Sequence, residues 1–428
     1  MTAPAARPGF AAAVTGLGLV SPAGIGVAEN WARICSGVST AARDPALAGL
    51  SVDFSCRVPG FDADALLGRR RAWRLDRVAQ FAVVAAREAL ADAGLAGTDP
   101  EGGARGDTGE VRPEWDDARV GVVLGSGIGG AGTWEEQHRR LLDQGPRQVS
   151  ALLIPMLAVN MIAGYVAMDC GARGPNFVTS TACASGTTAI GVARELLRSG
   201  ACDIVLAGGA EACVIPSIVT GFSQMGALSR RADDPAGASR PFDAGRDGFV
   251  AAEAAAVLVL ERPEHAAARG ARVRAYVSGY GASADAHHAT APDPGGRSVE
   301  RAMRAALLDA GITPEAVAHV NAHGTSTPLN DDIEGKVIHR VLGDAPAVTS
   351  TKGVTGHALG AAGAIEAAYT VLAVENSIAP PTANLDSQDP DIPVDVVAKE
   401  ARNLRIPAAV SNSFGFGGQN AVLVVTAT

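Results

Sequence analysis

The feature that most constrains this chain is a weak internal repeat. Glu88-Ala89-Leu90-Ala91-Asp92-Ala93-Gly94-Leu95 resembles Arg304-Ala305-Ala306-Leu307-Leu308-Asp309-Ala310-Gly311-Ile312. Each reads as the end of a helix that feeds a strand and then a glycine turn, with strands at 120–124 in the first copy and 318–322 in the second. The opening run AAAVTGLG at 11–18 likewise has a counterpart in RAYVSGYG at 274–281. The repeat predicts two similar α/β halves, 1–260 and 261–428, each with a mixed sheet and helical layers. The first copy carries an extra polar segment at 97–118, GTDPEGGARGDTGEVRPEWDDA, which reads as a surface loop.

A chain of 428 residues has room for two core-forming units. Its net charge of −9 argues against nucleic-acid binding. The six cysteines, at 35, 56, 170, 183, 202 and 213, show no metal spacing and imply no disulfide framework, so a reducing cytoplasm is the expected setting. No signal peptide is legible at the start, and no apolar run reaches membrane-spanning length. Arg69-Arg70-Arg71-Ala72-Trp73-Arg74 is a basic cluster in an acidic chain, suited to an acidic partner. Gly125-Ser126-Gly127-Ile128-Gly129-Gly130 lacks the lysine of a phosphate loop and reads instead as a turn of close backbone approach. An apolar helix is expected over 155–168, at a subunit or domain contact. The run 251–261 reads as a strand buried on both faces.

The chemistry begins at Thr181-Ala182-Cys183-Ala184-Ser185-Gly186, between the strand-like 175–178 and an alanine-rich amphipathic helix. Cys183 therefore lies where a strand hands over to a helix. Unpaired N–H groups there favour a thiolate, which would bring its pKa below the free value of about 8.5. Small neighbours leave the sulfur approachable, as in a nucleophile elbow. Three motifs in the second half also follow strand-like runs: Asn321-Ala322-His323-Gly324-Thr325-Ser326-Thr327-Pro328, Ser350-Thr351-Lys352-Gly353-Val354-Thr355-Gly356-His357 and Asn412-Ser413-Phe414-Gly415-Phe416-Gly417-Gly418-Gln419-Asn420. Such positions gather at the mouth of an α/β sheet. A cysteine with two imidazoles suits acyl transfer followed by carbanion chemistry. The sulfur takes an acyl group as a thioester, and neutral imidazole N–H groups donate to a developing enolate oxygen. Lys352 supplies positive charge beside them. The N–H groups of Phe416 and Cys183 would form an oxyanion hole.

These four motifs together resemble the elongating β-ketoacyl-acyl-carrier-protein synthases, type II condensing enzymes of the thiolase superfamily. The resemblance runs from about Val14 to the C-terminus, broken chiefly at 97–118. It implies a duplicated, five-layered α/β/α/β/α fold. It also implies roles: Cys183 as acyl acceptor, His323 and His357 for decarboxylation of a malonyl thioester, Lys352 supporting the pair, Glu334 as the buried acid near that lysine, and Phe416 as a gate. Ile128 and Phe222 fall where the family lines its acyl pocket, and Thr290, Thr325 and Thr327 where it meets the phosphopantetheine arm. Arg70, Arg71, Arg74, Arg230 and Arg231 would suit an acidic carrier protein. The resemblance implies no cofactor and no metal beyond that arm. It implies a homodimer, or a heterodimer with a chain-length-factor-like sister chain, and no nucleic acid or membrane as partner.

Two departures from the family pattern stand out. Ala252-Glu253-Ala254-Ala255-Ala256 replaces a glycine-rich run, and the added methyls need room. Gln419 stands where a small threonine is common, beside the oxyanion loop. With the acidic insertion, they point toward specialised polyketide or polyene synthesis as an alternative to fatty-acid elongation. Rival readings are a non-catalytic chain-length subunit, which loses the nucleophile retained here, and a thiolase-like or coenzyme-A-primed initiator, which carries Cys-His-Cys or Cys-His-Asn. A third is an enzyme that cyclises a tethered thioester, which the same residues would serve.

Overall fold

A computed structural model of the chain describes residues 9–95 and 115–428; most of the segment read as a surface loop, 97–114, lies outside the described residues. Ten strands carry the architecture. The first half supplies β1 (Ala12–Ser21), β2 (Val120–Gly125), β3 (Asn176–Thr179), β4 (Ile204–Glu211) and β5 (Ala254–Glu261). The second supplies β6 (Ala275–Ala284), β7 (His319–Asn321), β8 (Ala347–Thr349), β9 (Ala408–Gly415) and β10 (Gln419–Thr426). Spatial order in the first half is β3-β2-β4-β5-β1, with β3, β2 and β4 parallel and β5 and β1 antiparallel. The second half reads β8-β7-β9-β10-β6 with the same sequence of parallel and antiparallel pairs. The repeat seen in sequence is thus a repeat of topology. The halves meet where β1 pairs antiparallel with β6, Ala13 opposite Tyr276.

Six helices complete the layers: α1 (Arg77–Asp92), α2 (Met161–Cys170), α3 (Ser185–Arg198), α4 (Arg297–Ala310), α5 (Pro328–Leu342) and α6 (Ala362–Asn376). Helix α1 packs on β1 and β5, and α2 on β2, forming one outer layer; α4 packs on β6 and β10 with α5 beside it, forming the other. Helices α3 and α6 touch each other and strands of both halves, so they form the middle layer. That position explains their composition. α6 is buried along all but its last two residues, and its many alanines let it pack closely against strands of both halves. β4 and β5 are buried throughout, as their unbroken apolar pattern requires.

Two local expectations change. The apolar segment 155–168 is not one helix. It breaks at Ala158, whose backbone is extended, into Leu153–Leu157 and α2. The methyls of the alanine run at 252–256 have found room: every one of these residues is buried, and Glu253 within it is held by Arg57 and Arg77. Among the described residues no helix is long and apolar enough to cross a membrane.

Candidate active site

Cys183 sits in a single 3-10 turn, Ala182–Ala184, that opens α3. Ala182 takes the left-handed conformation, φ 48°, which turns the chain sharply enough to present the next side chain. Ser185 locks the turn: its hydroxyl donates to the Ala182 carbonyl at 2.6 Å and accepts from the Thr181 N–H at 2.9 Å. The hairpin between β9 and β10 lies against it. A side chain at Gly415 would meet the Thr181 carbonyl at 2.6 Å, so this close approach requires glycine. The approach brings the Phe416 backbone N–H onto the Cys183 sulfur.

The two histidines enter from the second half. His323 follows β7, and Glu334 on α5 fixes its backbone by accepting the N–H groups of His323 (2.8 Å) and Gly324 (2.7 Å). His357 is held by a different segment: its N–H donates to the Val250 carbonyl at 2.8 Å, and its carbonyl accepts from the Ala252 N–H at 3.1 Å. The rings meet edge to face, centroids 5.3 Å apart. Phe249 packs edge-on against His357, and Phe414 against His323. Behind them Lys352, almost wholly buried, donates to the His323 carbonyl at 2.6 Å and lies 3.4 Å from His323 Nδ1. Its counter-charge is Glu366 on α6.

Electrostatics set the protonation states. Burial, reinforced by the Lys352 ammonium, holds both imidazoles well below the usual histidine range, so they are neutral. An ammonium facing Nδ1 of His323 places that ring's proton on Nε2, on the side away from the lysine. Burial pushes the Cys183 thiol up to about 12, against the pull of Lys352 and the Phe416 N–H. This corrects the expectation of a lowered thiol pKa. The helix start is there, but desolvation outweighs it, and the resting group is the neutral thiol.

A cavity of about 410 Å³ brings Cys183, His323, His357 and Phe416 together with Phe222, and Thr290, Thr325 and Thr327 line it as well. Other expectations are redirected. Ile128 is not on this cavity; the residue is 36 % exposed and its N–H turns inward to Glu211. Glu334 is buried as expected and reaches Lys352 only through the His323 peptide, whose N–H it accepts; the acid paired directly with Lys352 is Glu366. Gln419 lies outside the lining, while Gly418 and Asn420 on either side are in it. Of the basic residues, Arg70, Arg74 and Arg230 are exposed. Arg71 is engaged by Asp169 at 2.6 Å, and Arg231 donates to the Gly245 carbonyl and faces Asp247. Glu366 and Glu211 were missed in the sequence. The signal available was a single acid inside an otherwise apolar small-residue run. Among the described residues, no group of three or more His, Cys, Asp or Glu could hold a metal.

A buried thiol at a strand-to-helix turn, facing two neutral imidazoles across a duplicated α/β/α/β/α core, defines a condensing enzyme of thiolase-like fold. Comparison with known proteins narrows the class. Residues 11–266 match the Beta-ketoacyl synthase N-terminal domain and residues 274–386 its C-terminal domain. The 3-oxoacyl-[acyl-carrier-protein] synthase 2 of Synechocystis sp. is 43% identical over 417 residues, 96% of each chain. That of Staphylococcus aureus is 44% identical over 416 residues, 96% of this chain and 97% of the relative. Among solved structures, a beta-ketoacyl synthase from Burkholderia phymatum superposes with a TM-score of 0.89 at 35% identity, covering 98% of this chain and all of that one. The ishigamide ketosynthase/chain length factor superposes with a TM-score of 0.88 at 33% identity and the same coverage. The chain belongs to the β-ketoacyl synthase family.

Proposed function

We propose that this chain catalyses decarboxylative condensation of a cysteine-bound acyl chain with malonyl-acyl-carrier protein, extending the chain by two carbons. The observation that carries the reading is the convergence of Cys183, His323 and His357 on one cavity from segments far apart in the chain. In the first step the Cys183 sulfur attacks the acyl thioester carbonyl. The oxyanion accepts from the Phe416 and Cys183 N–H groups, and the thiol proton passes to the departing carrier sulfur. Malonyl-carrier protein then loses CO2. The electron pair left behind forms an enolate whose oxygen accepts N–H groups from His323 and His357. Neutral rings suit this role, since each donates without first having to lose a charge. The enolate carbon attacks the Cys183 thioester, a carbon–carbon bond forms, and the sulfur leaves and takes up one proton from solvent. No step calls for a cofactor.

The carrier protein would be steered by the exposed Arg70, Arg74 and Arg230, because such carriers are acidic and long-range attraction between exposed charges raises the association rate. The phosphopantetheine arm would pass Thr290, Thr325 and Thr327. A partner chain is expected on the face where β3 ends the sheet. Among the described residues that edge pairs with no further strand, and Trp134, Ile154 and Met168 are each at least 50 % exposed. A second copy is the simpler occupant. The ketosynthase/chain length factor pairing of a structural neighbour makes a sister subunit the other. Replacing Cys183 by Ala should abolish elongation of acyl-carrier protein, read by mass spectrometry of the products. Wild-type elongation by that variant would end this reading.

A further inference from the structure

β4 ends at Glu211, whose carboxylate is wholly buried and receives no donor from lysine, arginine or histidine among the described residues. Its donors come from two turns. Ser126 Oγ (3.1 Å) and the N–H groups of Gly127 (2.7 Å) and Ile128 (3.3 Å) belong to the glycine turn after β2. The fourth donor, the Gly360 N–H at 3.2 Å, belongs to the 3-10 turn Leu359–Ala361 that opens α6. The expected close-approach turn is therefore folded around a carboxylate. Contact is tight enough that a side chain at Gly360 would lie 2.5 Å from Glu211 Oε2.

The turn Leu359–Ala361 packs against Ala182–Ala184, and Leu359 shares the cavity with Cys183. A buried charge without a counter-cation persists only when its hydrogen bonds are complete. Here those bonds are also what ties one turn to the other. The decarboxylating groups are anchored elsewhere: His323 by Glu334, Lys352 by Glu366, and His357 by Val250 and Ala252. Glu211 makes no hydrogen bond to any of these groups; the turn it clasps begins two residues after His357 and packs on the Cys183 turn.

We propose that Glu211 is a positioning residue for acyl transfer, its carboxylate clasping the glycine turn to the Leu359–Ala361 turn and so fixing the wall against which Cys183 receives its acyl chain. The proposal rests on the functional reading above. Glu211→Gln keeps the shape but points an amide N–H at backbone donors. The two half-reactions are measured separately on the full chain. One is acyl loading of Cys183 from acyl-carrier protein, followed by intact mass. The other is CO2 release from malonyl-carrier protein without an acyl donor. Acyl loading should fall roughly ten- to a hundredfold, in its maximal rate rather than its KM, with CO2 release within about twofold of wild type. Gly127→Ala is the second variant, because its added Cβ meets only Glu211 Oε2, at 3.0 Å. It should give the same split at smaller size, and it decides the matter if Glu211→Gln does not fold. Undiminished acyl loading, or equal loss of both half-reactions, overturns the proposal. A wild-type protein that performs neither half-reaction overturns the functional reading instead.

Discussion

Lys352 and Glu366 form an ion pair with both side chains 1 % exposed, and removing the cation exposes its energetics. Burial lifts the Glu366 carboxyl to about 7, and the Lys352 ammonium is the leading influence holding it down. In Lys352→Met the carboxyl loses that influence, and its native-state pKa rises further. The unfolded value stays near 4.5, so the shift is upward. The stability this group contributes is present below the unfolded value and lost as pH rises through the native one. In the wild type that loss is nearly complete a little above pH 7. In the variant it continues, at one proton or about 1.4 kcal/mol per pH unit. Between pH 7 and 9 Lys352→Met should therefore lose up to about 2.7 kcal/mol relative to wild type. With an unfolding entropy of about 2.1 cal/mol/K per residue, 428 residues give about 0.9 kcal/mol/K, so the gap in melting temperature should widen by about 3 °C. Differential scanning fluorimetry across that range reads it. The double variant Lys352→Met/Glu366→Gln should run parallel to wild type while remaining inactive, since His323 Nδ1 has lost its cation in both. A single variant whose melting curve tracks wild type from pH 7 to 9 would refute the assignment of Lys352 as the group that keeps Glu366 ionised.

Two further outcomes follow from the site. Both imidazoles lie well below the usual histidine range, so they gain protons only as pH falls well under 6.5. CO2 release should accordingly show no acid limb between pH 6 and 8, and an inflection near 6.5 in the rate profile would contradict neutral rings. Exposed Arg70 and Arg74 should serve carrier-protein encounter and not chemistry. Replacing both with Glu should lower kcat/KM for acyl-carrier protein about tenfold at low salt and leave turnover of a short thioester analogue unchanged. Equal loss with both substrates would place these residues in the fold instead.

Much of this was legible in the sequence because it is local. The duplicated helix-to-strand signatures at 88–95 and 304–312 predicted two copies of one topology. Strand-to-turn patterns marked the Cys183, His323, His357 and Phe416 loops. What was not legible depends on burial and on pairing across the chain. The helix start at Cys183 argued for a low thiol pKa, a rule of neighbours, while desolvation by the middle layer reversed it. Glu366 and Glu211 look like isolated acids in apolar runs, and their partners are 14 to 149 residues away. Arg71 belongs to a run of like charges in sequence, yet only the fold brings Asp169 beside it and takes it out of the exposed set.

The duplication also explains why the site is asymmetric. The turns that open α3 and α6 are counterparts: Ala182–Ala184 and Leu359–Ala361 are both 3-10, and Ala182 and Leu359 are both left-handed, at φ 48° and 44°. Cys183 in one turn therefore corresponds to Gly360 in the other. A second thiol at 360 would have no room, because a Cβ there already collides with Glu211. The equivalent of the nucleophile has become a hydrogen-bond donor to the clasp, and the segment just before it presents His357. Each half thus gives up what the other supplies. The first half holds a thiol that burial keeps neutral and has no imidazole to serve it, and the second holds two imidazoles and no nucleophile. Because α3 and α6 share the middle layer, the chemistry exists only where the two copies pack against each other.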